Sequence, residues 1–84
     1  MAKTAIFDNA ARFAALGGAI AHYRKRKGLS QDRLAELVGI SRQHMGAVEA
    51  PHMNRGISLD LLFNIAAVLE IEPYLLLKFR PEER

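Results

Sequence analysis

The 84-residue sequence contains no cysteine, which excludes a disulfide framework and a thiolate metal site and removes any need for an oxidising compartment. It also lacks the ~18 consecutive apolar residues that a membrane-spanning helix needs. The first residues lack the basic start and unbroken apolar core of a signal peptide. We therefore expect a soluble, cytoplasmic protein.

Few residues are available for catalysis or metal binding. The three histidines are His22, His44 and His52, and the acidic residues form no evident catalytic pair. A metal site built on His44 and His52 needs further ligands that the sequence does not place nearby. The sequence therefore predicts no enzyme, no metal and no other cofactor.

Strand-like alternation longer than a few residues, internal repeats and low-complexity segments are also missing, whereas apolar residues recur at helical spacing. The sequence thus predicts one all-α domain of five helices, the first from near Asp8 to about Arg26 and the fifth beginning at Pro73. The serines expected as N-caps of the three helices between them are Ser30, Ser41 and Ser58. Because so small a domain buries little apolar surface, we also expect a homodimer.

Glycines interrupt two of the predicted helices. Gly17 and Gly18 lie inside the first helix, where each costs roughly 1 kcal/mol relative to alanine. We therefore expect another element to approach the first helix closely at this position. Gly46, in the middle of the third helix, likewise indicates a steric reason for the missing side chain.

Residues 31–50, QDRLAELVGISRQHMGAVEA, have the pattern of two helices that meet at a tight turn. Gly39 breaks the pattern and can adopt the positive φ of a helix C-terminus. The apolar residues expected to face each other are Leu34, Ala35 and Val38 on one helix and Ile40, Met45 and Val48 on the next. This is the outline of a helix-turn-helix, although an ordinary αα-hairpin fits the same pattern.

Positive charge is concentrated in the first third of the chain. Residues 1–28 contain six lysines or arginines against one acid, whereas residues 57–84 contain three against five. A basic surface attracts a polyanion, and an acidic one is better suited to other contacts. The densest run, RKRK at residues 24–27, has a second explanation, since cations at the end of a helix complement its macrodipole.

Two stretches, LGGAIAHYRKRKGLSQDRLAELVGISRQHMGAVE and SLDLLFNIAAVLEIEP, resemble the phage repressor and Cro helix-turn-helix family, also called the xenobiotic-response-element (XRE) type. The GLSQ start, the LA and G of the turn and the late Leu-rich helix fall at the family's spacings. The resemblance covers about residues 16–77. It implies a compact five-helix, lambda-repressor-like DNA-binding domain that is usually dimeric on a palindromic operator.

The resemblance also implies which residues contact DNA bases. The third helix matches the recognition helix, so Ser41, Arg42 and Gln43 are expected at base edges in the major groove, although solvent-facing roles also fit them. The family often has polar side chains one turn later, where this chain has Gly46 and Ala47. Ala47 can still touch a thymine methyl group, and Gly46 lets the backbone approach the DNA. Specificity is then expected to depend more on DNA shape.

Phosphate contacts are expected from residues around the recognition helix: Gln31, His44, Asn54, Arg55 and Ser58. Gln31 matches the family's phosphate-contacting glutamine, although a plain helix-starting residue also fits it, and His44 also fits an exposed residue without a contact. Glu49 matches an acid that pairs with an arginine of the first helix, here Arg24, which implies a structural ion pair. Pro51 departs from the family pattern and leaves the path of the loop open.

The segment IEPYLLLKF, residues 71–79, is too apolar for a surface helix alone. Three successive leucines cannot all face one core, so part of the segment is expected to pack across a two-fold axis. The residues expected there are Tyr74, Leu76, Leu77 and Phe79. Residues 74–79 fit either a helix or a strand that pairs with its mate in the other subunit, since so short a run has no decisive period.

Two functions from different classes fit these features. In the first, the protein is a transcriptional regulator that binds a palindromic operator in double-stranded DNA as a homodimer. In the second, it is the antitoxin of a toxin-antitoxin system, which binds a toxin protein and autoregulates its operon. We favour the first, because an antitoxin usually needs surface beyond the DNA-binding domain, of which the sequence indicates little.

Overall fold

The structure is a computed structural model that describes residues 9–50 and 57–78. Its helices are α1 (Ala10–Arg26), α2 (Gln31–Val38), α3 (Arg42–Glu49), α4 (Leu59–Leu69) and α5 (Tyr74–Lys78). The predicted all-α fold of five helices is confirmed, and the described residues contain no strand. The helical alternative for the apolar segment holds as far as Lys78, while Phe79 lies outside the described residues.

Serine side chains begin three of the helices. The hydroxyl oxygens of Ser30, Ser41 and Ser58 accept hydrogen bonds from the backbone N–H three residues later, at 3.0, 2.9 and 3.0 Å. Each bond satisfies a donor that has no partner within its helix. The starts of α2, α3 and α4 are therefore determined locally, at the predicted residues.

Three helices end in the same left-handed turn. Gly28 after α1 and Gly39 after α2 have φ of 79° and 81°. In each turn, this residue and the next donate their N–H groups back to carbonyls of the preceding helical turn, as in a Schellman motif. Glu70 ends α4 in the same way with φ of 60°, although a non-glycine residue rarely adopts this conformation.

All five helices contribute buried side chains to one core, in which α3 and α4 each pack on both α1 and α2, and α5 packs on α1. Leu34 and Ala35 of α2 and Met45 and Val48 of α3 are buried in this core, where the two helices are in contact. Val38 and Ile40 pack against them and are half-buried. The two faces predicted for the helix-turn-helix therefore do face each other.

Close packing explains one helical glycine. A Cβ atom added at Gly17 would lie 2.6 Å from the carbonyl oxygen of Val48 and 3.0 Å from that of Glu49. Both atoms belong to the backbone at the end of α3, which cannot move aside as a flexible side chain can. Gly17 therefore permits the contact between α1 and α3, as its position in a helix predicted.

Candidate nucleic-acid interface

Three residues, Gly39, Ile40 and Ser41, connect α2 to α3. The N–H of Ile40 donates to the carbonyl of Ala35 at 3.0 Å, which closes the end of α2. Ser41 then caps α3 through the N–H of His44. Because both helix ends are hydrogen-bonded within so short a connection, the direction of α3 relative to α2 is well determined.

The N-terminal half of α3 faces away from the core. Ser41, Arg42, Gln43 and His44 are all exposed. Gly46 and Ala47 are half-buried and lie one turn further along the same face, since residues four apart are neighbours on a helix. The structure thus places Arg42 beside Gly46, and Gln43 beside Ala47, on the surface of α3, with Ser41 at its start.

The surroundings of Gly46 correct one expectation. A Cβ atom added there would lie 3.8 Å from Oε1 of Gln31, which is an ordinary van der Waals contact. Within the described residues, no atom is close enough to require a glycine at this position. The predicted steric reason is therefore wrong for the protein's own packing, in contrast to Gly17.

Arg24 and Glu49 form the ion pair that the family resemblance implied. Arg24 Nε donates to Glu49 Oε2 at 2.8 Å, and Arg24 Nη2 donates to Glu49 Oε1 at 3.1 Å. The two side chains are only 9% and 5% exposed. Arg24 Nη1 also donates to the carbonyl of Leu29 at 2.8 Å, so the pair links α1, the following turn and the end of α3.

Gln31 joins this ion pair, which the sequence did not indicate. Its Nε2 donates to Glu49 Oε1 at 2.9 Å, across the gap between the start of α2 and the end of α3. Glu49 thus accepts three hydrogen bonds, one of them from a residue 18 positions earlier. No local pattern predicts a bond between residues so far apart in the chain.

The basic run at residues 24–27 does not form one cationic patch. Arg24 is buried against Glu49, and Lys27 Nζ donates to Glu70 Oε1 at 2.7 Å. Lys25 and Arg26 are exposed. The hydrogen bond from Lys27, together with its positive charge, lowers the pKa of Glu70. Two of the four cations are therefore paired with carboxylates of their own chain.

The structure removes one residue from the expected dimer interface. Leu76 is 1% exposed and belongs to the core of its own chain, so it is not available to a partner subunit. Tyr74 and Leu77 remain exposed, at 59% and 63%. Two apolar side chains on α4, Leu59 and Phe63, are also exposed at 65% and 50%, which the sequence analysis did not foresee.

Of the remaining residues expected to contact phosphates, the structure describes Ser58 but not Asn54 and Arg55. Ser58 is exposed at the start of α4 and uses its hydroxyl oxygen to cap that helix. Asn54 and Arg55 lie outside the described residues, as does most of the loop that carries them.

Among the residues described, no three His, Asp or Glu side chains group as metal ligands, and no helix is long and apolar enough to cross a membrane.

A capped pair of short helices, with one face buried and the start of its second helix exposed, defines a helix-turn-helix domain. Comparison with known proteins agrees, because the sequence model of the family described as Helix-turn-helix matches residues 20–76. The chain belongs to the XRE-type helix-turn-helix family.

Similar proteins include transcriptional regulators. The HTH-type transcriptional regulator SinR of Bacillus licheniformis is 31% identical over 67 residues, which cover 80% of this chain and 60% of SinR. The chain thus spans about 60% of the length of this relative. SinR of Bacillus subtilis (strain 168) matches to the same extent.

Solved structures share the fold. The restriction-modification controller protein C.AhdI from Aeromonas hydrophila has a TM-score of 0.75 and 37% identity, over 83% of this chain and 99% of that one. A crystal structure of SinR in complex with DNA has a TM-score of 0.69 and 32% identity, over 75% of this chain and 98% of that one.

Proposed function

We propose that the protein is a sequence-specific regulator of transcription that inserts the N-terminus of α3 into the major groove of DNA. The observation that carries this proposal is that Ser41, Arg42 and Gln43 are exposed at the start of a helix whose Met45 and Val48 are buried in the core. That SinR, a member of the same family, was crystallised with DNA supports it.

In this proposal, the residues at the surface of α3 contact or approach the bases, and residues around α3 contact phosphates. Arg42 can donate two hydrogen bonds to O6 and N7 of guanine, and Gln43 can pair with N6 and N7 of adenine. Gly46 and Ala47 leave the backbone close to the groove. Ser41 and His44 lie at its edge, and Gln31, Ser58, Asn54 and Arg55 supply phosphate contacts.

A homodimer forms the second part of the proposal. Tyr74 and Leu77 of α5 are largely exposed apolar side chains, and α4 adds Leu59 and Phe63. A two-fold contact would cover exposed apolar side chains of this kind, and in helix-turn-helix dimers the two recognition helices lie about 34 Å apart. The operator is then an inverted repeat.

The test is selection of bound duplexes from a random DNA library at near-physiological salt, followed by sequencing. Enrichment of an inverted repeat with half-sites about ten base pairs apart supports a dimeric, sequence-specific regulator. No enrichment contradicts the proposal. Purification of the protein from its native cells adds a second outcome, because a small protein bound at fixed stoichiometry would support the antitoxin alternative.

Variants of α3 test the contact assignment. We expect Arg42→Ala and Gln43→Ala to relax sequence preference at single positions, by about 1–3 kcal/mol each. Arg55→Ala should instead weaken binding to operator and random DNA by the same factor, because phosphates carry no sequence information. Unchanged operator affinity in all three variants would show that another surface faces the DNA.

A further inference from the structure

The exposed side of α5 is apolar along the helix and charged at both ends. Tyr74, Leu77 and Lys78 lie on one side of the helix, because residues three and four apart are neighbours on a helix surface. All three are exposed, whereas Leu76 is buried in the core. At the other end lies Glu72, which is also exposed and whose backbone carbonyl accepts the N–H of Leu75 at 3.0 Å.

The two charged side chains at these ends have no ionic partner within the described residues. None of the ion pairs formed there includes Glu72 or Lys78. Lys78 instead lies over the ring of Tyr74, with its Nζ 5.8 Å from the ring centroid. An acid at the start of α5 and a base at its end are thus available to a second molecule.

A two-fold axis can bring two copies of α5 together in two ways, and the charges distinguish them. If the helices run parallel, Glu72 faces the partner's Glu72 and Lys78 faces the partner's Lys78. If they run antiparallel, Tyr74 can lie against the partner's Leu77, so that the start of each helix lies beside the end of the other. Opposite charges then meet at both ends of the contact, which favours the antiparallel arrangement.

We infer that the exposed side of α5 is self-complementary: it binds a second copy of this chain in antiparallel orientation, with Glu72 of each protomer paired to the partner's Lys78. The inference rests on the proposed homodimer and states how the chain selects its partner. Exposed ion pairs add little affinity, but a chain with the wrong charge at either position meets two like-charge contacts. The pairs therefore act mainly on orientation and partner choice.

The test exchanges the two charges. Glu72→Lys and Lys78→Glu each turn both attractive contacts of a homodimer into repulsive ones. We expect each variant to raise the dimer dissociation constant about tenfold in sedimentation equilibrium at low salt. The protein that carries both substitutions regains both attractions and should dimerise within about threefold of the wild type. Both side chains are exposed, and circular dichroism checks that each variant is folded.

A mixture of the two single variants gives a second measurement. In a dimer of Glu72→Lys with Lys78→Glu, each of the two contacts joins a lysine to a glutamate, so the heterodimer is attractive at both ends and each homodimer is repulsive at both. One variant is labelled with 15N, and native mass spectrometry counts the dimers. We expect heterodimers to be well above the fraction of about half that labelled and unlabelled wild type give.

The two single substitutions also control for net charge, because Glu72→Lys raises the net charge of +3 and Lys78→Glu lowers it. If Glu72→Lys weakens the dimer while Lys78→Glu strengthens it, net charge is the cause and the inference is wrong. If both variants dimerise like the wild type, or their mixture gives about half heterodimers, the charges do not face each other, and the inference is wrong while the homodimer stands. A wild type that sediments as a monomer at every concentration contradicts the proposed homodimer itself.

Discussion

Gly17 and Gly46 both lie in the middle of a helix, yet their surroundings differ. Backbone carbonyls of α3 occupy the space beside Gly17, whereas, among the described residues, the space beside Gly46 holds only the end of the Gln31 side chain at an ordinary distance. Sequence pattern predicts the same cost for both glycines. The structure shows that the fold requires a glycine at position 17, whereas the packing of the described residues does not require one at position 46.

Gly17→Ala should destabilise the protein. The new Cβ atom gains up to about 1 kcal/mol of helix propensity, but it meets the Val48 carbonyl at 2.6 Å and forces α3 away from α1. Overpacking of this kind costs about 1–3 kcal/mol, so we expect a net loss of stability in urea denaturation. A variant at least as stable as the wild type would contradict this packing.

Gly46→Ala should have the opposite effect on stability. Because the described residues leave room for the methyl group at this half-buried position, the helix gains about 0.5–1 kcal/mol. If α3 approaches DNA through this glycine, the same methyl group weakens operator binding about tenfold. Thermal unfolding and operator titration of one protein sample measure both effects. A variant that is more stable and binds DNA normally would show that Gly46 does not approach the DNA.

At the level of elements, the residues at which helices begin and end were easier to predict from sequence than the contacts between helices. Serine caps and glycine turns act within a few residues, so Ser30, Ser41 and Gly39 could be assigned from sequence. Glu70 could not, because its left-handed conformation contradicts the preference of its residue type. The hydrogen bond from Gln31 to Glu49 could not be predicted from local sequence pattern either, because it forms only when α2 and α3 have packed together.

The ion pair of Lys27 and Glu70 joins the ends of α1 and α4, and it should make stability depend on pH. The pKa of Glu70 is lowered in the folded protein, which means that folding favours its ionised carboxylate. The stabilisation is therefore complete above the ordinary glutamate pKa and is lost as pH falls through the lowered value.

This dependence can be measured by thermal unfolding of the wild type and Lys27→Met from neutral to acid pH. We expect a small difference in Tm at neutral pH, because exposed ion pairs contribute little. The difference should shrink on acidification. A difference that is constant, or that grows in acid, would mean that Lys27 stabilises the protein by another contact.

For the whole molecule, α5 decides which apolar side chains remain for a partner. The sequence LLL has no period, so pattern alone could not show that Leu76 faces the core while Leu77 faces outward. Among the described residues of α5, the prediction therefore wrongly assigned Leu76 to the dimer interface. Leu59 and Phe63 of α4 are also exposed, which could be seen only once the helices were packed.

Two adjacent leucines provide a matched test of the dimer. Leu77→Glu should yield folded monomers with lower operator affinity, because the side chain is exposed in the protomer and is proposed to be buried in the dimer. Leu76→Glu should instead unfold the protein, since it places a charge in the core. Analytical ultracentrifugation and circular dichroism distinguish the two effects. Unchanged sedimentation of Leu77→Glu would place the interface elsewhere.

The division of the basic run at residues 24–27 also limits how strongly this end of the chain can attract nucleic acid. A cation bound to a phosphate displaces a condensed counterion, and each such contact adds about 0.9 to the slope of log affinity against log salt concentration. Arg24 and Lys27 are already neutralised by carboxylates of their own chain. If this run lies against DNA, it is therefore expected to displace about two counterions, through Lys25 and Arg26, rather than the four that four unpaired cations would displace.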